Sequence, residues 1–171
     1  MDDPEHIRAW QRLDTLTTTS GRLRAEDIEP LAALGVRHVI NLAMADHPEA
    51  LTDEADLLAQ RGIGYTHIPV SFDAPTEADF AAFRETLVAA AGEPVHVHCI
   101  ANWRVSAFFY RLNREDRGMA EPEARALMAR QWEPETHDHA SAPAWAQFIA
   151  ARSRPPRALS ARFRIRPSRP R

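Results

Sequence analysis

Along the chain, segments whose apolar residues recur every three to four positions alternate with short β-branched runs, a layout that predicts an α/β layer architecture. Residues 25–34 read as a helix stopped at Gly35, and His38-Val39-Ile40-Asn41-Leu42 as a buried strand. Leu51, Ala55 and Leu58 share one helical face ahead of Gly62 and Gly64. Residues 65–70 (Tyr-Thr-His-Ile-Pro-Val) form a second strand, with pairing expected to stop at Pro69. After Pro75, Thr76 and Asp79 have the spacing of a capping box, in a weaker variant with Asp in place of Glu. Phe80, Phe83, Leu87 and Val88 then fall at i, i+3, i+7 and i+8, the stripe of a helix buried on one side.

Beyond Gly92 the pattern sharpens. Val95-His96-Val97-His98-Cys99 is a strand bounded by Pro94, and Val105, Phe108, Phe109 and Leu112 fall at helical spacing directly after it. Cys99 therefore stands where a strand turns into a helix. Two more helices are expected over residues 121–132 and 143–151, the second with Trp145, Phe148 and Ile149 on one side. The expected fold is α/β, a short central and mostly parallel sheet flanked by helices.

Composition narrows the function. The 171 residues, 44% hydrophobic and 26% charged, fit one globular domain over residues 1–151. No apolar run approaches the ~18 residues of a membrane span, and the acidic N-terminus has no apolar run behind it, so the expectation is a cytoplasmic protein without membrane partners. One cysteine excludes an internal disulfide framework, a four-cysteine zinc site and an internal resolving thiol. The net charge of −3 hides a division: residues 152–171 hold eight arginines and no acid, leaving −11 on residues 1–151. That Arg/Pro-rich tail has too few apolar residues to offset the entropy of ordering and reads as disordered. Nucleic acid is a candidate partner for the tail alone, not for the acidic body.

The strand-to-helix turn carries the chemistry. A loop there points several backbone N–H groups at one spot, and the helix dipole adds partial positive charge, which suits an anion. A thiolate is such an anion, and cysteines beside helix N-termini and cations are commonly thiolates near neutral pH. Arg104, five residues after Cys99, offers a planar fork for two oxygens of a tetrahedral anion, and Ser106 offers a hydroxyl. Thiolate, amide cradle and Arg together describe phosphoryl transfer through a cysteinyl phosphate.

His98-Cys99, a short loop, an Arg and a Ser between strand and helix resemble the H-C-x5-R-S/T signature of protein tyrosine and dual-specificity phosphatases. The resemblance is strongest to a group of small bacterial phosphatase-like proteins. It extends over Ser20-Gly21, the strand of residues 35–42, Tyr-x-His-Ile-Pro-Val at 65–70, Asp-x-Pro-Thr at 73–76, His-Cys-x-Ala-Asn-x-Arg-x-Ser-Ala-Phe at 98–108, Trp132-Glu133-Pro134, and Trp145 with Phe148 and Ile149. It covers about residues 12–150 and leaves the tail unexplained. By this resemblance Cys99 is the nucleophile. The amides of Ile100, Ala101, Asn102, Trp103, Val105 and Ser106 with Arg104 hold the phosphate, and His98 orients the loop. A loop Asp upstream acts as general acid; Asp73 fits that place, with Asp79 as the alternative and a first-turn helix residue by its position. The implied substrate is a phosphorylated protein or a small phosphomonoester, with no cofactor or metal.

One departure divides the reading. The spacing here is C-x4-R, one residue shorter than the signature. A loop shortened by one residue resembles that of rhodanese-like sulfurtransferases, which carry a Cys persulfide. Alternatively the loop keeps its length and the Arg has moved: Ser106 then stands at the signature Ser/Thr, and Asn102 at a position often held by Gly, Asn being the residue after Gly that best tolerates positive φ. A phosphate-binding module with little or no turnover is a third reading. His137-Asp138-His139 could touch a metal but reads better as a solvated loop; His96 reads as structural, and Trp103 as either a pocket wall or a packing anchor.

Overall fold

The structure, a computed structural model, describes residues 2–152, so the reading of the basic tail falls, Arg152 apart, outside the described residues. Five strands form one sheet: β1 (Gln11–Arg12), β2 (Thr17–Ser20), β3 (His38–Asn41), β4 (Gly64–His67) and β5 (Val95–His98). Their order is β1-β2-β5-β3-β4, with β1 antiparallel to β2 and all other pairs parallel. The α/β, mostly parallel architecture expected from the sequence is the one observed. A 3-10 turn (Ala25–Asp27) leads into α1 (Ile28–Ala33); α2 (Glu54–Ala59), α3 (Glu77–Ala89), α4 (Trp103–Glu115), α5 (Glu121–Ala129) and α6 (Ala142–Ala150) follow. No helix among the described residues is long and apolar enough to cross a membrane.

Two cores lie on the two faces of the sheet. One gathers Ile28 and Leu31 of α1 and Leu58 of α2 around Val39. The larger gathers Phe80 and Phe83 of α3, Val105, Phe108 and Phe109 of α4, Met128 of α5 and Trp145 and Phe148 of α6 around Ile40 and Val97. Helix α3 starts at the expected box: the Thr76 hydroxyl accepts from Asp79 N (3.1 Å) and Asp79 Oδ2 accepts from Thr76 N (3.0 Å). Its buried stripe is Phe80, Phe83 and partly Leu87, whereas Val88 is 74% exposed. At 100° per residue the eighth position has turned about 80° away from Phe80, off the buried face. Beyond β4, Ile68 N and Val70 N still donate to Asn41 O (2.9 Å) and Leu42 O (3.2 Å), so the chain keeps to β3 on either side of Pro69, which has no N–H to give.

Strand β2 has no apolar residue, Thr-Thr-Thr-Ser, yet all four positions are buried. It is stable because its hydroxyls find partners inside. Thr18 Oγ1 lies 3.0 Å from His96 Nδ1 and Ser20 Oγ 2.9 Å from His96 Nε2. Ser20 gives its own proton to Gly21 O (2.8 Å), so His96 donates from Nε2 to Ser20 and accepts at Nδ1 from Thr18. The ring is fully buried and stacks on Trp10 at 5.3 Å.

Burial, and secondarily the neighbouring His98, hold the His96 imidazole well below its ordinary range, so it stays neutral in the fold. Unfolded, the same ring binds a proton below about pH 6.5. The unfolded state therefore gains protons first on acidification, and stability is lost as pH falls below that value. Denaturant titrations from pH 7 to pH 5 are expected to show this loss, with His96 contributing up to ~1.4 kcal/mol per pH unit. His96→Gln, less stable at pH 7, is expected to show a correspondingly flatter slope.

Candidate active site

Cys99 lies one residue beyond β5 and is buried, and the loop from 99 to 102 leads directly into α4. Three of the four carbonyls of this loop, and that of Trp103 after it, are held by named donors. Cys99 O faces His98 Nδ1 (3.3 Å), and Ile100 O accepts from Arg22 N (3.0 Å). Asn102 O accepts from Ser106 N (3.0 Å), and Trp103 O from Trp132 Nε1 (3.0 Å). With those carbonyls engaged, the amides of the loop are left without main-chain acceptors among the described residues. Trp103, Arg104 and Val105 carry first-turn N–H groups, which have no acceptor within a helix. Among the described residues no main-chain hydrogen bond outside α4 takes an N–H from residues 100–105.

Two residues make this conformation possible. Asn102 sits in the left-handed region (φ 63°, ψ 7°), and its Nδ2 donates to Ala9 O (2.8 Å) and Thr19 Oγ1 (3.0 Å), pinning the turn to β2. Gly21 passes under the loop so closely that a Cβ there would lie 2.7 Å from Ile100 O.

The loop borders a cavity of about 230 Å³ lined by Cys99, Ile100, Ala101, Trp103 and Arg104, together with Phe72, His47 and His139. Arg104 is 6% exposed. Its Nη1 donates to Val70 O (2.8 Å) and Leu42 O (3.3 Å), and its guanidinium lies over the Phe72 ring at 5.5 Å. No carboxylate pairs with it among the described residues, which leaves a desolvated cation beside the cavity. Trp103 is both wall and anchor: it lines the cavity and stacks on Trp132 at 5.0 Å and 6°.

His47 was not anticipated, and His139 only as part of the 137–139 segment rather than as a neighbour of Cys99; no periodicity in the sequence marks either. Each accepts at Nδ1 from the main-chain N–H two residues on, Glu49 and Ser141 (both 3.1 Å), which places the ring proton on Nε2. Residues 137–139 form a loop, as expected, with Asp138 and His139 exposed and His137 half-buried, but its two imidazoles also touch the aromatic cluster. His137 packs edge-on against Trp103 at 4.6 Å and His139 against Phe72 at 5.0 Å, because the aromatic cluster offers ring faces that an imidazole edge can cover.

Other expected residues stand elsewhere. Asp73 follows Phe72 but is exposed and outside the cavity lining; its Oδ1 accepts from Ser141 Oγ (2.5 Å). Ser106 donates its hydroxyl back to Trp103 O (3.0 Å), a common habit of helical serines, and faces a separate small cavity beside Gln11 and Thr19. Val105 is fully buried in the larger core, so only its N–H is available to the loop, and the Asn102 side chain serves the scaffold.

No family model matches the chain. Over 102 residues it is 32% identical to the Beta-lactamase hydrolase-like protein of Agrobacterium fabrum, covering 57% of this chain and 23% of that protein, so the chain spans about a quarter of that relative's length. A solved structure of a DUF442 protein described as a phosphatase, from Shewanella putrefaciens CN-32, is 30% identical, with a TM-score of 0.75 over 86% of this chain and 93% of that one. The chain belongs to the protein tyrosine phosphatase-like family. TpbA of Pseudomonas aeruginosa, solved in complex with pTyr, shares the fold at 20% identity and a TM-score of 0.64, over 84% of this chain and 85% of that one.

Behind the phosphatase-like loop is a buried polar cluster. His98 Nε2 lies 2.5 Å from Glu54 Oε1, an ionic contact at an angle short of a hydrogen bond, and both side chains are at most 4% exposed. Glu54 Oε2 accepts from Asn41 Nδ2 (2.8 Å) and the Tyr65 hydroxyl (3.1 Å). Burial raises the Glu54 carboxyl, but the His98 charge and these donors outweigh it and the net shift is downward. Burial and the Glu54 charge push Tyr65 up to about 12, which keeps its hydroxyl a donor. Glu54 was not anticipated as part of the site; it is the first residue of a short helix, and only the fold brings it to His98.

The pinned turn gives a test. Asn102→Ala loses both hydrogen bonds and strains the left-handed backbone, and is expected to cost ~2–4 kcal/mol in chemical denaturation. Asn102→Gly keeps the backbone, loses only the hydrogen bonds, and should cost less than the Ala variant.

Proposed function

We propose that the protein is a cysteine-dependent phosphomonoester hydrolase of the tyrosine or dual-specificity type. The observation that carries this reading is Arg104: a buried cation with no carboxylate partner among the described residues, lining one cavity with Cys99 beside a loop whose amides have no main-chain acceptor there. Such a place is built for a tetrahedral anion. The Cys99 thiolate attacks phosphorus, the bond to the ester oxygen breaks, and the loop amides with Arg104 hold the three equatorial oxygens. Asp73, next in the chain to Phe72 of the cavity lining, gives its proton to the leaving oxygen. Water, with its proton returned to Asp73, then displaces sulfur and releases phosphate. The scheme uses only side chains, main chain and water.

The substrate is a phosphorylated protein or a small phosphomonoester. Phe72 and Trp103 flank the cavity with ring faces, and His47 and His139 carry Nε2 protons beside it, a lining suited to a ring-bearing phosphate ester. The family's phosphatases favour phosphoryl transfer over sulfur transfer at Cys99.

Hydrolysis of p-nitrophenyl phosphate is expected from the purified protein and none from Cys99→Ser; equal rates would overturn the assignment. Arg104→Ala should lower kcat/KM by about 10² to 10³ if its guanidinium steadies the transition state. Asp73→Asn should slow alkyl phosphates, whose poor leaving oxygens need a proton, far more than p-nitrophenyl phosphate. An equal effect on both would remove Asp73 from the role of acid.

A further inference from the structure

We propose that Glu54 is a positioning residue for Cys99: from behind the loop it holds His98 doubly protonated, so that an imidazolium fixes the Cys99 carbonyl and sets a positive charge next to the thiolate. This deepens the phosphatase reading and rests on Cys99 being its nucleophile.

The argument starts from what each ring nitrogen of His98 faces. Nε2 meets the Glu54 carboxylate at 2.5 Å, and Nδ1 meets the Cys99 carbonyl at 3.3 Å. Neither partner has a proton to give. A neutral imidazole has one bare nitrogen, which would confront an oxygen lone pair in a place water does not reach. Only the imidazolium presents a proton to both oxygens, as a hydrogen bond to the carbonyl and an ion pair with the carboxylate. A buried imidazolium in turn needs a counter-charge, and Glu54, 2% exposed, is the carboxylate in contact with it.

The surroundings hold that charge state. From β3, Asn41 donates to Glu54; from β4, Tyr65 donates to the same oxygen. His67, also on β4, stacks on Tyr65 at 6.4 Å and bonds Ala43 O at 2.7 Å. From β5, His96 stacks on His98 at 6.2 Å and stays neutral. Asn41 Oδ1 also accepts from Ala43 N (2.7 Å), so one side chain joins the carboxylate to the end of β3. The pair is close to neutral as a whole, but its positive end is one residue from Cys99 and its negative end is farther behind.

Cys99 is the only cysteine, so its reactivity can be read by intact mass after iodoacetamide, independently of turnover. Alkylation of Glu54→Gln at pH 6 is expected to be about tenfold slower than wild type, the effect of losing one nearby charge, and equal to wild type near pH 9.5, where the thiol ionises in both. Glu54→Asp should recover part of the rate. His98→Gln should slow alkylation as much, and combining it with Glu54→Gln should add nothing, because the two act as one unit. Unchanged alkylation at pH 6 in folded Glu54→Gln, judged by circular dichroism, overturns the proposal. Should that variant fail to fold, Tyr65→Phe, which removes one donor from Glu54, carries the test: slowing of about two- to threefold at pH 6 supports the role and no change overturns it. Slowed alkylation in a protein that hydrolyses no phosphate ester would leave the Glu54 role standing and defeat the phosphatase reading. Intact hydrolysis with unchanged alkylation would do the reverse.

Discussion

A turn that leaves its amides without main-chain acceptors must still place its carbonyls, and here four of them are held by four different parts of the fold. His98 takes the Cys99 carbonyl, Arg22 that of Ile100, the helix itself that of Asn102, and Trp132 that of Trp103. Several otherwise unrelated features follow from that need. Gly21 is small because the chain just after β2 passes against Ile100 O, Asn102 is left-handed because the chain must reverse before α4 can start, and Trp132 is buried because its indole N–H is a loop contact. The site is a loop held open from outside rather than a pocket carved into a core.

The elements that pack with apolar side chains were legible in the sequence: β3, β5 and helices α3, α4 and α6 each carry a periodicity that survives folding. Strand β2 was not, since its burial is achieved by hydroxyls that His96 satisfies, and a Thr-Thr-Thr-Ser run carries no hydrophobic signal. The turn at Cys99 was legible because its residues are consecutive; Asn102 even occupies the backbone region that its side chain tolerates. What lies around the turn was not. Glu54 and His47 reach it only through the crossover from β3 to β4, and His139 only through the connection from α5 to α6; each has an ordinary local reading as a helix-start acid or a polar loop residue. Ser106 shows the opposite failure: sequence distance from Cys99 suggested a partner, whereas the helix turns its hydroxyl back to the main chain.

The altered spacing of Arg104 becomes intelligible against this frame. Moving one position along a helix turns a side chain by about 100°. From the second position of α4 the guanidinium reaches the ends of two neighbouring strands, at Leu42 and Val70, and still borders the cavity, while Val105 fills the core. Arg104 thereby ties three parallel connections together at the edge where the loop opens, and a single cation serves both as a brace and as the local positive charge of an otherwise acidic body.

The stacked indoles of Trp103 and Trp132 give the molecule a property unrelated to catalysis. One forms the cavity wall and the other is locked to the loop by its N–H, with two imidazole edges packed beside them. Indole emission responds to the polarity and quenchers within a few ångströms of the ring. Entry of an anion between Phe72 and Trp103, or a shift of the loop that loosens the stack, therefore changes the light emitted by the protein itself, and the state of the cavity can be followed without any added label.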